Sequence, residues 1–124
     1  MSEELISVGG TAVLQLVNRI ENYVGASVGE LDGAVWARAT SEPRDKGNGQ
    51  LEFTMIHEFV TTDGSTLSTD DLAVATPIPG SDEVRMYVLH TIVASTGKFT
   101  DKRGTFPSFG IHNQKTGRGV QRFL

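Results

Sequence analysis

The feature that most limits the fold of this chain is an alternation of apolar and polar side chains. Along residues 51–60, one face carries Leu, Phe, Met, His and Phe, and the other carries Glu, Thr, Ile, Glu and Val. A period of two residues predicts a β-strand with one face turned toward a core. Residues 84–94 repeat the alternation in a long segment rich in β-branched residues, which also favours a strand.

Turn signals divide the chain into short segments at intervals of about 10–15 residues, a spacing that is typical of many short strands. Asp63-Gly64 predicts a hairpin turn, because both residues tolerate positive φ. Gly47-Asn48-Gly49 predicts a turn within the polar loop 41–50, and Pro77 and Pro79 are expected to end a strand. Strands are predicted at residues 31–40, 51–60, around 66, 71–76, 84–94, 104–113 and 119–124.

Residues 11–19 fit two patterns. Val13, Leu16 and Val17 begin a stripe at helical spacing, whereas Leu14, Leu16 and Asn18 share one face of a strand. We favour the strand, because everything downstream has the pattern of β-structure.

A chain of 124 residues fits one domain with a single core, here residues 1–124. With so little helix, the strand faces must bury against one another in a barrel or a sandwich. We therefore predict an all-β fold, a small antiparallel closed β-barrel of about eight strands. The terminal Arg122-Phe123-Leu124 lies in a predicted strand, which must pair with the first strand because an open edge invites aggregation.

The composition excludes several kinds of site. The chain has no cysteine, which rules out disulfides, thiolate metal sites and a cysteine nucleophile, and which fits a cytoplasmic protein. No apolar run approaches the length of a membrane span, and the first residues lack the pattern of a signal peptide. We therefore expect a cytoplasmic protein that does not enter a membrane.

Charge is distributed unevenly along the chain. The net charge of −4 argues against nucleic acid as the main partner. Residues 1–83 carry 14 acids and 4 bases, a net −10, whereas residues 84–124 carry 1 acid and 7 bases, a net +6. The basic part has the charge to attract an anionic ligand, but acidic and basic strands that are neighbours in one fold would balance each other.

Residues 93–104, Val-Ala-Ser-Thr-Gly-Lys-Phe-Thr-Asp-Lys-Arg-Gly, form the most informative motif. Thr96-Gly97 is expected to turn the chain, Phe99 to plug a barrel end, and Gly104 to begin a strand where a side chain would crowd. The segment resembles the G-G-T-G-x-F-x-x-A-x-G signature of the allene oxide cyclase and dirigent barrels. Ser95 and Lys102 depart from that signature, standing for its glycine and its small residue.

Two segments upstream are similar to allene oxide cyclases in order and spacing. Val17-Asn18-Arg19 is similar to their first-strand motif, and Gly29-Glu30-Leu31 is similar to their Gly-Asp-Leu before the second strand. The resemblance implies a short eight-stranded barrel, allene oxide cyclase-like or calycin-like, with an apolar cavity and often a homo-oligomeric state. It also implies that Asn18 helps bind a water, although Leu16 stands where the family has a companion Glu.

His57 is the leading candidate for chemistry, because it alternates with Phe53, Met55 and Phe59. If that face lines the barrel interior, His57 is a polar group in an apolar pocket, where it can act as general acid or base. A structural histidine bonded to a neighbouring strand is the competing interpretation. Tyr87 is a candidate proton donor or oxyanion stabiliser, or else a barrel-wall tyrosine. The predicted ligand-binding residues are Trp36, Arg38, Phe53, Met55, Phe59 and Arg85.

A metal site built from His57, His90 and His112 is not favoured, because no two of them lie in one predicted strand. We expect no metal and no cofactor. No phosphate-binding glycine loop or G-x-S-x-G nucleophile motif occurs either.

The function expected from these features is that of a cofactor-free isomerase or cyclase acting on an apolar, lipid-like or polyketide-like molecule. Asn18, His57 and Tyr87 are its predicted catalytic residues. The first alternative is a barrel that binds a small molecule without turnover, and an all-apolar cavity lining would favour it. The second is an interaction module that uses the basic C-terminal segment. An exposed apolar patch around Trp36 or Tyr87 would favour a homo-oligomer.

Overall fold

The computed structural model describes residues 4–18 and 22–124. The one helical element in these ranges is a single 3₁₀ turn, Gly97–Phe99, and none of their helical structure is long and apolar enough to cross a membrane. The strands are β1 Gly10–Asn18, β2 Asn22–Gly29, β3 Gly33–Ala39, β4 Arg44–Asp45, β5 Leu51–Thr61, β6 Thr66–Pro77, β7 Glu83–Ser95, β8 Thr105–Asn113 and β9 Arg118–Phe123.

The strands close into an antiparallel barrel, as predicted. Each strand from β5 to β9 pairs with the next, β9 pairs with β1, and β1, β2 and β3 follow in order. Pairing of β3 with β5 closes the ring of eight strands, and the short β4 adds to the edge of β5. Phe123 lies opposite Gly10, so the last strand seals the barrel against the first, also as predicted.

The first half of the chain confirms one prediction and corrects another. Residues 11–18 form the favoured strand rather than a helix, while Arg19, where that prediction ended, is outside the described residues. Strand β2 was missed, since its sequence Asn-Tyr-Val-Gly-Ala-Ser-Val-Gly has few large apolar residues. Gly25 lets β2 approach β1 closely, because any Cβ at this position would collide with the backbone of Val13 on β1.

The turns and the other strand boundaries follow the sequence closely. Asp63-Gly64 forms the predicted hairpin turn, with Gly64 at φ 86°. The Asp63 carboxylate accepts hydrogen bonds from the Thr61 hydroxyl and the Ser65 amide, which lowers the pKa of Asp63 to about 2. The two strands predicted around 66 and at 71–76 form one continuous strand, Thr66–Pro77, with an irregular register after Ser68.

One end of the barrel, the closed end, is filled by large apolar side chains. Phe99 from the 3₁₀ turn is almost wholly buried there, which confirms its predicted place as a plug. Gly104 has φ 115° and a Cβ there would collide with the Glu4 carbonyl, in agreement with the predicted crowding. The largest side chains of the closed end are Leu31, Phe59, Leu67, Phe99, Phe106 and Phe123.

The other end, the open end, is packed with smaller or more flexible side chains. Its buried cluster consists of Ala37, Met55, Ala73, Ala75, Val84, Met86 and Val88. The partly buried Phe53 and Tyr23 pack against this cluster. Alanine leaves space and methionine adapts its shape, so this end offers the room that the closed end lacks.

Candidate functional site

A layer of polar side chains crosses the barrel interior between the two ends. The layer consists of His57, Thr69, Asp71, His90, Ser108, His112 and Gln121, all of them buried. They come from the inward faces of five successive strands, β5 to β9, so ordinary strand alternation brings them together. Buried polar groups of this kind need partners, and the hydrogen bonds among them are therefore informative.

Asp71 is the centre of the polar layer. Its Oδ2 lies 2.6 Å from Nδ1 of His57, and its Oδ1 lies 2.7 Å from Nδ1 of His90. The Thr69 hydroxyl donates to Oδ1 as well, at 2.6 Å. Because a carboxylate only accepts, both Nδ1 atoms carry protons, and each neutral imidazole then has Nε2 as its basic nitrogen.

From His90 the hydrogen bonds continue in one direction across the barrel. Ser108 Oγ lies 2.7 Å from Nε2 of His90 and donates to it. Gln121 Nε2 donates to Ser108 Oγ at 2.8 Å, and its Oε1 accepts from Nε2 of His112 at 2.9 Å. Each group thus has one consistent role, and the tautomers of His90 and His112 follow from it.

Burial and hydrogen bonding shift the pKa values of these groups. Burial opposes ionisation of Asp71, but the positive charge of His57 in its protonated form and the hydrogen bonds of His57 and His90 outweigh it and hold the Asp71 pKa below its ordinary value. Burial lowers the pKa of His90 to about 4, although its hydrogen bond to Asp71 acts in the opposite direction. Burial also lowers the pKa of His112. At neutral pH, Asp71 is therefore ionised and His90 and His112 are neutral.

Two inward glycines make room for the far end of this layer. A Cβ at Gly119 would collide with the His112 ring, and a Cβ at Gly110 would collide with Oε1 of Gln121. Within the described chain, Nδ1 of His112 is the buried side-chain polar atom that lacks a hydrogen-bond partner. The ring is therefore held by its other nitrogen and by Tyr23, whose ring meets it edge-on at 6.0 Å between centroids.

A small cavity of about 20 Å³ lies on the open-end side of the polar layer. Its polar lining comes from His57, His112, Gln121 and Tyr23, and its apolar lining includes Met55, Val88 and Leu14. The His57 ring makes its hydrogen bond to Asp71 through Nδ1. Nε2 makes none within the residues that the structure describes. His57 thus brings a basic nitrogen, oriented by Asp71, to a mostly apolar space.

A vestibule of about 200 Å³ adjoins the cavity at the mouth of the open end. Tyr23, Met86 and His112 line both spaces and separate them. The inner cavity alone has room for about one water molecule. A larger ligand would need Met86 or Tyr23 to move, which would join the two spaces.

The structure separates the three predicted catalytic residues. His57 lies inside the barrel, whereas Tyr87 stands on the outer wall and Asn18 is exposed at the rim, where its Oδ1 accepts a hydrogen bond from Asn22 at 3.1 Å. Tyr87 points away from the cavity because of strand parity, and Asn18 lies outside the cavity because it is at the end of β1. They therefore share no site with His57.

The predicted ligand-binding residues are divided in the same way. Phe53 and Met55 line the inner cavity, and Phe59 lies deeper, in the closed end. Trp36 and Arg38 lie side by side on the outer wall, with the guanidinium carbon 5.6 Å from the ring centroid. Arg85 is also outside, beside Tyr87.

Sequence reasoning missed Asp71, Ser108 and Gln121. Asp71 follows Asp70 directly, and in a strand of a small barrel one of two successive residues must point inward. This was a usable signal, because the inward parity shared with Ala73 and Ala75 selects Asp71 rather than Asp70. Ser108 and Gln121 had no comparable signal, since short polar residues are equally common on outer faces.

His57, Asp71 and His90 have the residue types of a metal site, with ligand atoms within 4.8 Å of one another. In this structure both ring nitrogens instead bond directly to the carboxylate, at 2.6 and 2.7 Å. Those distances are ordinary for hydrogen bonds, and Thr69 occupies a further acceptor position on Asp71. The arrangement of His57, Asp71 and His90 therefore fits hydrogen bonds to the carboxylate better than coordination of a metal cation.

Asp71, His90 and Ser108 also reproduce the order of contacts of a serine nucleophile with its base and orienting acid. These residues differ from a nucleophilic serine site because a substrate could not reach the serine. His90 and Ser108 are wholly buried, and neither lines the inner cavity. His90, held by Ser108, anchors Asp71 from within, whereas His57, His112 and Gln121 are the members of the polar layer that line the cavity.

Comparisons with protein-family models, curated proteins and solved structures find no match to this chain.

Proposed function

We propose that this protein is a cofactor-free isomerase or cyclase that moves a proton within an apolar small molecule. The observation that carries the proposal is the hydrogen bond of 2.6 Å from Nδ1 of His57 to Asp71, which leaves Nε2 on the cavity side. A carboxylate that orients an imidazole in this way makes it an effective general base. The resemblance of residues 93–104 to allene oxide cyclase and dirigent barrels supports the same class of function.

The chemistry can be written for a β,γ-unsaturated carbonyl compound. Nε2 of His57 accepts a proton from the carbon next to the carbonyl, which gives an enolate and an imidazolium whose Nδ1–H remains on the Asp71 carboxylate. The imidazolium then returns the proton to a different carbon of the conjugated enolate. The product is an isomer, so atoms and electrons balance without a cofactor. Tyr23 also lines the cavity, and a phenol there is a candidate donor to the enolate oxygen.

Access in this proposal is through the open end. Movement of Met86 and Tyr23 would join the vestibule of about 200 Å³ to the inner cavity. Methionine changes rotamer at low cost, and the neighbouring alanines leave space for this change. A cytoplasmic location belongs to the same proposal, supported by a sequence without cysteine.

The test uses 3-cyclohexen-1-one, whose conversion to the conjugated 2-cyclohexenone is followed by ultraviolet absorbance. We expect the protein to accelerate the conversion, and His57→Gln to lower the rate by about a hundredfold or more. Asp71→Asn should lower the rate and alter its pH dependence, since Asp71 acts by positioning His57. Glu58→Gln is the matched control, because Glu58 is exposed on the same strand next to His57. Equal rates for His57→Gln and Glu58→Gln would refute the role of His57.

Binding without turnover is the second candidate, and the apolar side chains Leu14, Met55 and Val88 in the lining favour it. The same probe separates the two functions. Saturable binding of the ketone in the interior with no acceleration of its isomerisation would support carriage and contradict catalysis.

A further inference from the structure

A large concave surface lies on the outside of the barrel. This outer groove has a volume of about 670 Å³ and follows the outer faces of β6 to β9. That volume is in the range of pockets that hold drug-sized ligands. The polar turn at residues 46–50 forms one side of the groove, where the Gln50 amide donates to the Thr76 hydroxyl at 3.1 Å. Met86 lines both the groove and the inner cavity, but no residue of the polar layer lines the groove. Binding in the groove therefore does not use His57 or the function proposed above.

An apolar and aromatic floor runs along the outer groove. Tyr87 and Phe109 lie opposite each other on β7 and β8, with ring centroids 5.0 Å apart. They remain 40% and 47% exposed, respectively, which is a large aromatic area for an outer wall. Ile111 and Val74 extend the floor on either side. An exposed patch of this kind marks a binding surface more often than an ordinary wall.

Cations border the floor, and among the described residues no Asp or Glu lines the groove. Arg122 lies opposite Phe109 on one side, and Arg85 lies opposite Ile111 on the other. Neither guanidinium has an ion pair or a hydrogen bond in the described part of the chain, although Lys98 and Lys102 elsewhere pair with Asp32 and Glu30.

Lys46 adds a third positive charge at the turn, where Glu52 is its partner at 3.5 Å. Unpaired arginines beside an aromatic floor match a ligand that has an anionic group and an apolar body.

We propose that the outer groove binds small amphipathic organic anions, such as an aromatic or aliphatic carboxylate. The ring system or chain lies on Tyr87 and Phe109, and the carboxylate pairs with Arg85 or Arg122. A second copy of this chain fits less well, because a two-fold contact through this face would bring the same cations together. A polyanion such as single-stranded nucleic acid is disfavoured by the net charge of −4.

The test titrates the protein with 2-naphthoate and with its neutral counterpart, 2-naphthylmethanol, and follows backbone amide resonances. We expect 2-naphthoate to bind more tightly and to shift Tyr87 and Phe109 rather than Ala37 and His57. The double variant R85Q/R122Q should weaken 2-naphthoate binding by about tenfold and leave 2-naphthylmethanol nearly unchanged. R103Q/K115Q is the matched control, since it removes two exposed positive charges outside the groove.

Four results would overturn the proposal. The first is equal binding of 2-naphthoate by the two double variants, and the second is resonance shifts confined to the interior residues. The third is binding of an oligothymidylate without binding of 2-naphthoate. The fourth is a dimer that dissociates in R85Q/R122Q, with no binding of 2-naphthoate to the unaltered protein. If R85Q/R122Q does not fold, the unaltered protein can be titrated in about 0.5 M sodium chloride instead. Screening should then weaken the binding of 2-naphthoate and leave the binding of neutral 2-naphthylmethanol nearly unchanged.

Discussion

The two ends of the barrel are built from the same strands and differ in what they allow. Strand β5 supplies Phe59 to the closed end and Met55 to the open end, and β8 supplies Phe106 and His112 in the same way. Interlocked aromatic rings hold the closed end, for example Phe59 and Phe123 edge-to-face at 5.3 Å. The closed end therefore holds the strands together, whereas the open end keeps the cavity and the vestibule.

The polar layer takes its character from its position between the two ends. Its closed-end side rests on the aromatic cluster, with His90 stacked on Phe106 at 4.8 Å between centroids. Its open-end side presents His57 and His112 to the cavity. A rigid support on one side and a space on the other are what an oriented acid–base group requires.

The largest expected effect is at the closed end. Phe59→Ala should lower the free energy of unfolding by about 3–5 kcal/mol, because it leaves a cavity among packed rings. Phe53→Ala, on the same strand but at the partly exposed open end, should cost about 1 kcal/mol. Urea denaturation of both variants measures the difference, and equal losses would abolish the distinction between the two ends.

The next effect is at the polar layer. Asp71→Ala removes the acceptor of three hydrogen bonds and leaves the Nδ1–H groups of His57 and His90 unpaired in the interior. We expect a loss of about 3 kcal/mol, again measured by urea denaturation. Asp70→Ala is the matched control, since Asp70 is the exposed neighbour and should cost little. A loss for Asp71→Ala no larger than that of Asp70→Ala would show that the network is not formed.

A fall in pH should lower the free energy of unfolding before it reaches the range in which carboxylates titrate. Since the pKa of His90 is about 4 in the folded protein and 6.5 is its ordinary value, the unfolded state binds the proton first as the pH falls. Stability from this group is therefore complete above pH 6.5 and is lost as the pH falls toward 4, by about 2 kcal/mol at pH 5. His112 acts in the same direction. Denaturation at pH 7 and pH 5 measures the loss, and a flat profile would contradict a buried neutral His90.

The smallest effect is expected beside the cavity. Met86→Leu should change the free energy of unfolding by less than about 1 kcal/mol, because volume is nearly conserved where alanines leave space. The change should nevertheless alter access to the interior, since Met86 lines both the vestibule and the inner cavity. The rate of ketone isomerisation measures this, and an unchanged rate would show that Met86 does not control access.

Much of the fold could be predicted from local patterns. Alternation in residues 51–60 identified a strand with His57 on its apolar face, and the motif at residues 93–104 identified Phe99 as the plug. Strand β2 could not be predicted, because its small residues are explained by the close approach of β1 at Gly25, a tertiary contact. Local sequence shows alternation, but not which strands must pack closely.

The candidate site was harder to predict for a related reason. His57 was nominated by its own strand, whereas its partner Asp71 comes from another strand and was recognisable only through strand parity. Tyr87 was nominated as a catalytic residue because its strand alternates cleanly, yet alternation does not tell the inner face from the outer. The predicted balance between acidic and basic strands holds in part. Lys98 and Lys102 pair with Asp32 and Glu30, whereas Arg85 and Arg122 form no ion pair with the residues that the structure describes.

In the function we propose, a ligand enters at the open end and stops at the polar layer. The most direct test is a titration with cyclohexanone, followed by the methyl resonances of Met55 at the open end and Leu31 and Leu67 at the closed end. The account predicts saturable shifts of the Met55 methyl and of the His57 ring, with Leu31 and Leu67 unchanged. Shifts at Leu31 and Leu67, or no shift at Met55, would contradict it.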